Sequence, residues 1–153
     1  MRAEAARLAK VLRPALLLVG TCAALAGVAN AAGYGFAYQP TDSMPRGLYL
    51  LTPAADAPKG ALVTLAAPGK PGLTLLKRIA ASGGDEVCIT GRDIHIAGRP
   101  AAVVVADAPP PAILCRVLTE GEVFLLGDGL RSFDSRYFGP IDRSRLIRRA
   151  VPL

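Results

Sequence analysis

"ALVTLAAPGKPGLTLLKRIAA", residues 61–81, sets two apolar runs on either side of Pro68-Gly69-Lys70-Pro71-Gly72. A helix does not continue through two prolines and two glycines. Runs of seven to nine residues rich in Val, Leu and Ile and bounded by such breakers read as strands. The same grammar recurs outward in both directions: "GLYLL" at 47–51, "EVCIT" at 86–90, "DIHIAG" at 93–98, "AAVVVA" at 101–106, "ILCRVL" at 113–118 and "EVFLLG" at 122–127. Clusters such as "TPAADAPKG" and "DAPPP" separate them. The pattern predicts a mainly β domain with turn-rich connections.

The chain has 153 residues, room for one modest domain, and its 16 Gly and 13 Pro fit many turns. Its mean hydropathy of +0.37 is high for a water-exposed fold of this size, and the excess is concentrated near the N-terminus. Residues 14–32, "PALLLVGTCAALAGVANAA", carry no charge over 19 positions, against about 20 for a helix that spans a bilayer. Arg2, Arg7, Lys10 and Arg13 precede this run against Glu4 alone, and such flanks stay in the cytoplasm. The expected organisation is a cytoplasmic basic segment at 1–13, a transmembrane helix at 14–32 and an exported domain at 33–153. Ala29-Asn30-Ala31 also fits a signal-peptide cleavage pattern, and both readings export the remainder. Residues 33–39 read as a linker.

The net charge of +6 does not point to nucleic acid. Residues 1–13 and 142–153 each contribute +3, and the body between them balances to zero. A phosphate-tracking groove needs bases spread over the folded surface, interleaved with aromatics for single strands. The basic C-terminal stretch reads as a solvated tail or as a patch for anionic lipid. No metal is expected, because the chain has one His, no CxxC and no cluster at ligand spacing. No cofactor is expected either, since no glycine-rich phosphate loop follows a strand. Cys22 falls inside the apolar run, while Cys88 and Cys115 both fall in the exported part, where an oxidising compartment allows one bridge.

Ser43, in "TDSMPRGLYLL", is the first chemical question. A serine hydroxyl is a weak nucleophile until a base takes its proton. The one histidine, His95, sits in "RDIHIAGRP" and reads as an ordinary hairpin-strand residue. A lysine serves as base if its ammonium is stripped of water, since desolvation disfavours the charged form. Lys77, flanked by Leu75, Leu76 and Ile79, suits that role; the other reading is a strand-edge lysine in water beside Arg78.

A third stretch, "GDGLRSFDSRYFGPI" at 127–141, follows an apolar strand and gathers two serines, two arginines and acids in one loop. "DSMPRGLY", "LLKRIAASGGDEV" and "SFDSRYFGPI", in that order behind an apolar segment, resemble the serine-lysine signal peptidases, most closely their TraF-like branch of conjugal-transfer peptidases. The resemblance implies a signal-peptidase-like β-domain in which Ser43 attacks the scissile carbonyl and Lys77 is its neutral base. By the same resemblance Thr41 completes the oxyanion hole with the Ser43 amide, and Ser132 orients the lysine. Asp134 matches an acidic position that is catalytic or holds the loop by pairing with Arg136 or Arg78; Arg78, Asp128 and Arg136 are supporting residues. "SMPRGLY" in place of the housekeeping "SMxPT" favours the conjugal branch.

The implied function is a membrane-anchored serine endopeptidase. It cleaves exported precursors after small residues, a pilin or another conjugation component, with hydrolysis and cyclisation both open. Implied partners are a pilin-like precursor and the membrane, with no nucleic acid. The implied location is single-pass in the inner (cytoplasmic) membrane with the domain on the periplasmic or extracytoplasmic side. The alternative is a non-catalytic exported β-domain, a scaffold subunit of a secretion or conjugation apparatus.

Overall fold

A computed structural model describes residues 2–55, 57–105 and 115–153. The chain is mainly β behind one N-terminal apolar helix. Helix α1 covers Arg2–Ala31, with Pro14 inside it, and its Leu12–Ala31 stretch is long and apolar enough to cross a membrane, with none of it buried in the protein.

Strand β1 (Gly35–Gln39) begins four residues beyond α1 and pairs antiparallel with β2 (Gly47–Pro53). The expected linker is therefore a strand. Its aromatics Phe36 and Tyr38 alternate with half-buried Gly35, Ala37 and Gln39, a period-two pattern too short to stand out behind Gly33. The remaining strands of the larger sheet are β3 (Leu62–Ala66), β4 (Thr74–Ser82), β9 (Glu122–Leu126), β10 (Ile141–Asp142) and β11 (Leu146–Pro152). Their order is β1-β2-β11-β3-β4-β9-β10, antiparallel throughout. The C-terminal stretch is thus no solvated tail. It is an interior strand laddered to both β2 and β3, with Ala150 buried and Arg149 facing out.

A smaller sheet takes β5 (Glu86–Thr90), β6 (Asp93–Ile96), β7 (Arg99–Val103) and β8 (Cys115–Val117) in the order β7-β6-β5-β8. The β6–β7 hairpin turns at Ala97-Gly98, both at positive φ. Cys88 and Cys115 lie opposite each other on β5 and β8 and form a disulfide. Ala106, the "DAPPP" cluster, Ile113 and Leu114 fall outside the described residues.

Three apolar clusters fill the body. Val63, Leu65, Leu75, Ile79, Val123 and Leu125 form one; Val87, Ile89, Ile94, Leu118 and Phe124 another. Met44, Tyr49, Leu51, Leu62, Leu76 and Ala150 form the third, directly beneath the β1–β2 connection. On β4 the positions 75, 77, 79 and 81 all point inward, so Lys77 takes a core slot between Leu75 and Ile79 and pairs with Val63 across the ladder.

Candidate active site

The connection between β1 and β2 carries Ser43. The pair Gln39–Gly47 closes the ladder, and Pro40 and Pro45 stiffen the chain between them. Met44 is buried beside Tyr49, whose hydroxyl donates to Pro45 O at 2.6 Å. From the other side, the Asp128 amide donates to Ser43 O at 2.8 Å. The loop is therefore fixed to the core on one flank and to the 127–136 stretch on the other. Ser43 Oγ accepts from Gln39 Nε2 at 3.1 Å and shares a hydrogen with Thr41 Oγ1, also at 3.1 Å.

Lys77 is 2% exposed. Burial pushes its ammonium below the ordinary lysine value; the Asp134 carboxylate opposes that shift, the Arg136 guanidinium reinforces it, and Asp128 opposes it weakly. Among the described residues the Lys77 amine makes no hydrogen bond and no ion pair, to Ser43 or to any other group. Continuing the β4–β9 register from Arg78–Leu126 sets Lys77 against Gly127.

Gly127 is the junction of the site. A Cβ there would lie 2.1 Å from Ser132 Oγ and 2.6 Å from Ser43 O, and one on Gly129 would lie 2.8 Å from Asp42 O. Only glycines let the backbone after β9 approach the Ser43 loop so closely. Ser132, 3% exposed, turns its hydroxyl into this junction and finds no hydrogen-bond partner there.

The loop that carries these glycines is held by a buried ion pair. Asp134, fully buried, caps the short helix α2 (Ser135–Phe138) by accepting from the Arg136 amide, and it also accepts from the Gly127 amide at 2.8 Å. Arg136 donates to both Asp134 oxygens, at 2.9 and 2.7 Å, and then to the carbonyls of Gly127, Gly129 and Leu130. One aspartate and one arginine thus satisfy both the amide and the carbonyl of Gly127. Of the two partners open to Asp134 in the sequence, the structure uses Arg136; Arg78 pairs at 3.3 Å with Asp128 on the half-exposed rim.

Thr41 and Ser43 are in contact. Ser132 and Ser43 meet the same glycine, and Lys77 lies in the electrostatic field of Asp134, Arg136 and Asp128. His95 stands on β6 in the smaller sheet, paired with Cys88. The sequence reading missed Gln39, whose amide contacts the Ser43 hydroxyl, and the packing role of Gly127 and Gly129. A polar residue closing an apolar-aromatic strand, four positions before the serine, was the available signal for Gln39.

Comparison with known proteins gives this arrangement a class. Residues 8–153 match the family described as signal peptidase, peptidase S26, and the chain belongs to that family. It is 34% identical over 163 residues to the plasmid transfer protein TraF of Escherichia coli, covering 88% of this chain and 90% of that one. Subunit 1 of the mitochondrial inner membrane protease of Xenopus tropicalis is 31% identical over 102 residues, 62% of this chain and 50% of its own. A signal peptidase I from Enterococcus faecalis aligns with a TM-score of 0.43 at 21% identity, covering 60% of this chain and 94% of its own. Family membership supports a peptidase function, and the single N-terminal apolar helix suits a single-pass membrane protein.

Proposed function

We propose that this chain is a membrane-anchored serine endopeptidase that cleaves exported precursors with Ser43 as nucleophile and Lys77 as general base. The observation that carries the reading is the setting of Lys77: a core-facing, unpaired amine whose pKa burial lowers, on a strand in register with the glycine that touches Ser43. A buried amine without a counter-ion is most stable neutral, and a neutral amine accepts a proton. Ser132 Oγ, buried and without a hydrogen-bond partner, lies against the same glycine. A hydrogen bond between it and the Lys77 amine would satisfy both and aim the lysine lone pair at Ser43.

In the proposed reaction the Lys77 amine takes the Ser43 proton as Oγ attacks the scissile carbonyl. The tetrahedral oxyanion is held by the Ser43 amide and the Thr41 hydroxyl. Lysine then gives its proton to the departing amine, leaving an acyl ester on Ser43. Water activated by Lys77 hydrolyses that ester, or an amine at the other end of the product attacks it and closes a ring. Asp134 and Arg136 act as positioning residues, holding the Gly127 backbone against the nucleophile loop. The cavity beside Gln39, about 180 Å³, suits a small side chain before the cut.

The domain is proposed to lie on the periplasmic face of the inner membrane with residues 1–13 in the cytoplasm. Phe36, Tyr38, Leu48, Ile147, Val151 and Leu153 are exposed on the β1–β2–β11 side, next to the end of the apolar helix. Arg148 ties that sheet to the helix through Asn30 Oδ1 at 2.9 Å. A face of this kind supports a domain resting on lipid, where a tethered precursor presents its cut site at the same depth. Similarity to TraF makes a pilin or another conjugation component the proposed substrate.

The test compares new protein N-termini in membranes of cells expressing the unaltered chain, Ser43→Ala and Lys77→Met, with mass spectrometry of any shortened pilin. Cleavage seen only with the unaltered chain is the expected result, and a mass lower by one water marks ring closure. Processing that survives both substitutions refutes the dyad and favours the scaffold reading.

A further inference from the structure

Gln39 ends β1, and its carboxamide nitrogen lies 2.7 Å from Thr41 Oγ1, 3.0 Å from Thr41 O and 3.1 Å from Ser43 Oγ. A carboxamide NH2 donates and cannot accept. Its two hydrogens are divided among these three oxygens, so at least one hydrogen is shared between two of them, and none of the contacts removes the hydrogen that Ser43 must lose. The Ser43 hydroxyl has two acceptor sites and one donor site. With Gln39 donating to one acceptor site and Thr41 Oγ1, at 3.1 Å, able to donate to the other, the Ser43 hydrogen is left to a base.

We infer that the Gln39 carboxamide stabilises the Ser43 oxygen as it becomes an alkoxide, a catalytic contribution made by a third side chain on the nucleophile. The inference rests on the peptidase reading above. The physical reason is differential: an N–H donating to a neutral hydroxyl makes an ordinary hydrogen bond, whereas the same N–H donating to an oxygen gaining negative charge makes a charge-assisted one, about twice as strong. An interaction that strengthens only as the proton leaves raises kcat and leaves substrate affinity alone. The position of Gln39 adds to this effect. The residue also lines the cavity formed with Ala37, Thr64, Leu75 and Leu76. A substrate side chain in that cavity covers the amide and displaces water from it, and a hydrogen bond gains strength as its surroundings dry.

The experiment measures steady-state cleavage of the precursor whose new N-terminus depends on the unaltered chain. The full-length protein is reconstituted in lipid vesicles, and Gln39→Leu, Gln39→Glu and Ser43→Ala are compared. Leucine removes the donor, and kcat is expected to fall about 10- to 100-fold, the range of a hydrogen bond to a charged group, with KM within about threefold and thermal unfolding unchanged. Glutamate keeps the shape but presents an acceptor and a negative charge. It lowers kcat further and moves the alkaline rise in activity to higher pH, because a nearby anion favours protonated Lys77. A merely structural Gln39 would lower the unfolding temperature of Gln39→Leu in step with its activity, which overturns the inference. A Gln39→Leu enzyme with kcat within twofold of the unaltered chain, alongside an inactive Ser43→Ala, overturns it while leaving the peptidase reading intact. Cleavage that persists in Ser43→Ala, or the absence of any such precursor, sinks both together.

Discussion

Gly127→Ala tests how tightly Ser43, the proposed nucleophile, is held. Cβ atoms do not approach other heavy atoms closer than about 3.0 Å, and an alanine Cβ here would start 2.6 Å from Ser43 O and 2.1 Å from Ser132 Oγ. The Ser43 carbonyl must then retreat by at least about 0.4 Å and the Ser132 hydroxyl by about 0.9 Å. Ser132 can rotate its hydroxyl away, but its Cβ is also too near, at 2.8 Å. Ser43 has less freedom still, because its carbonyl is bonded to the amide of Asp128, the residue adjoining the new methyl group. The strain therefore shifts the Ser43 backbone as a unit. A misplacement of about 1 Å costs on the order of 100-fold in rate, so the expected loss in kcat is about 10- to 100-fold with little change in KM. Overpacking of this kind destabilises by about 1 to 3 kcal/mol, a fall in Tm of about 2 to 12 °C for a chain of this length. Gly121→Ala is the matched control, since its Cβ would meet only Asp142 Oδ2 at 3.9 Å. Precursor cleavage and thermal unfolding of the two variants give the answer. A Gly127→Ala enzyme that keeps kcat within threefold of the unaltered chain refutes the close-packed junction.

The lowered pKa of Lys77 sets two further expectations. Cleavage should rise with pH through a value below that of free lysine, as the neutral base becomes populated, and a profile flat from neutral to strongly alkaline pH would contradict this. The unfolded chain binds this proton more tightly than the folded one, so Lys77 weakens folding at low pH and the penalty fades as pH climbs to the ordinary value of 10.5. Lys77→Met should abolish cleavage yet raise Tm, most at acid and neutral pH, and calorimetry that finds no gain at neutral pH counts against a buried neutral amine. Asp134→Asn leaves a buried guanidinium without its counter-charge; the expected cost is about 3 to 5 kcal/mol, seen as a Tm lower by about 6 to 20 °C. The chain has no tryptophan, so Phe36→Trp supplies a single emitter: quenching by brominated lipid is expected if the β1–β2–β11 face rests on the bilayer, and the emission of a fully hydrated indole would place that face in water.

Most of the strands and the inward-facing position of Lys77 were legible because each depends on local chemistry. Pro68 to Gly72 break a helix whatever surrounds them, and a lysine set between Leu75 and Ile79 on a strand faces the core by alternation alone. What stayed hidden depends on contacts distant in sequence. Residues 146–152 set the adjacent pair Arg148-Arg149 between Leu146-Ile147 and Ala150-Val151, with no period-two pattern, which reads as a tail until β2 and β3 supply ladders on both sides. Gly127 and Gly129 look like turn glycines in "GDG", but their absent side chains make room for a backbone more than 80 residues earlier. Gln39 has no motif of its own; its part comes from the turn that folds it back toward Ser43.

The 127–136 loop also bears on how Lys77 can be buried in the field of an aspartate and still suit the proposed role of base. Asp134 alone would stabilise the ammonium and hold Lys77 protonated, which defeats its use. Arg136 occupies both carboxylate oxygens, and its own charge acts on Lys77 in the opposite sense. The two fields act in opposite directions at the lysine, and desolvation is the largest influence on its pKa. An uncharged pair could not do the same mechanical work, since the carboxylate must accept the Gly127 amide while the guanidinium donates to three carbonyls of the same loop. The ion pair thus supplies hydrogen bonds that fix the loop, while its two charges act on the proposed base in opposite senses. Single replacements in this pair should therefore disturb both geometry and proton affinity, whereas Arg78 and Asp128, half in water, have far less leverage on either.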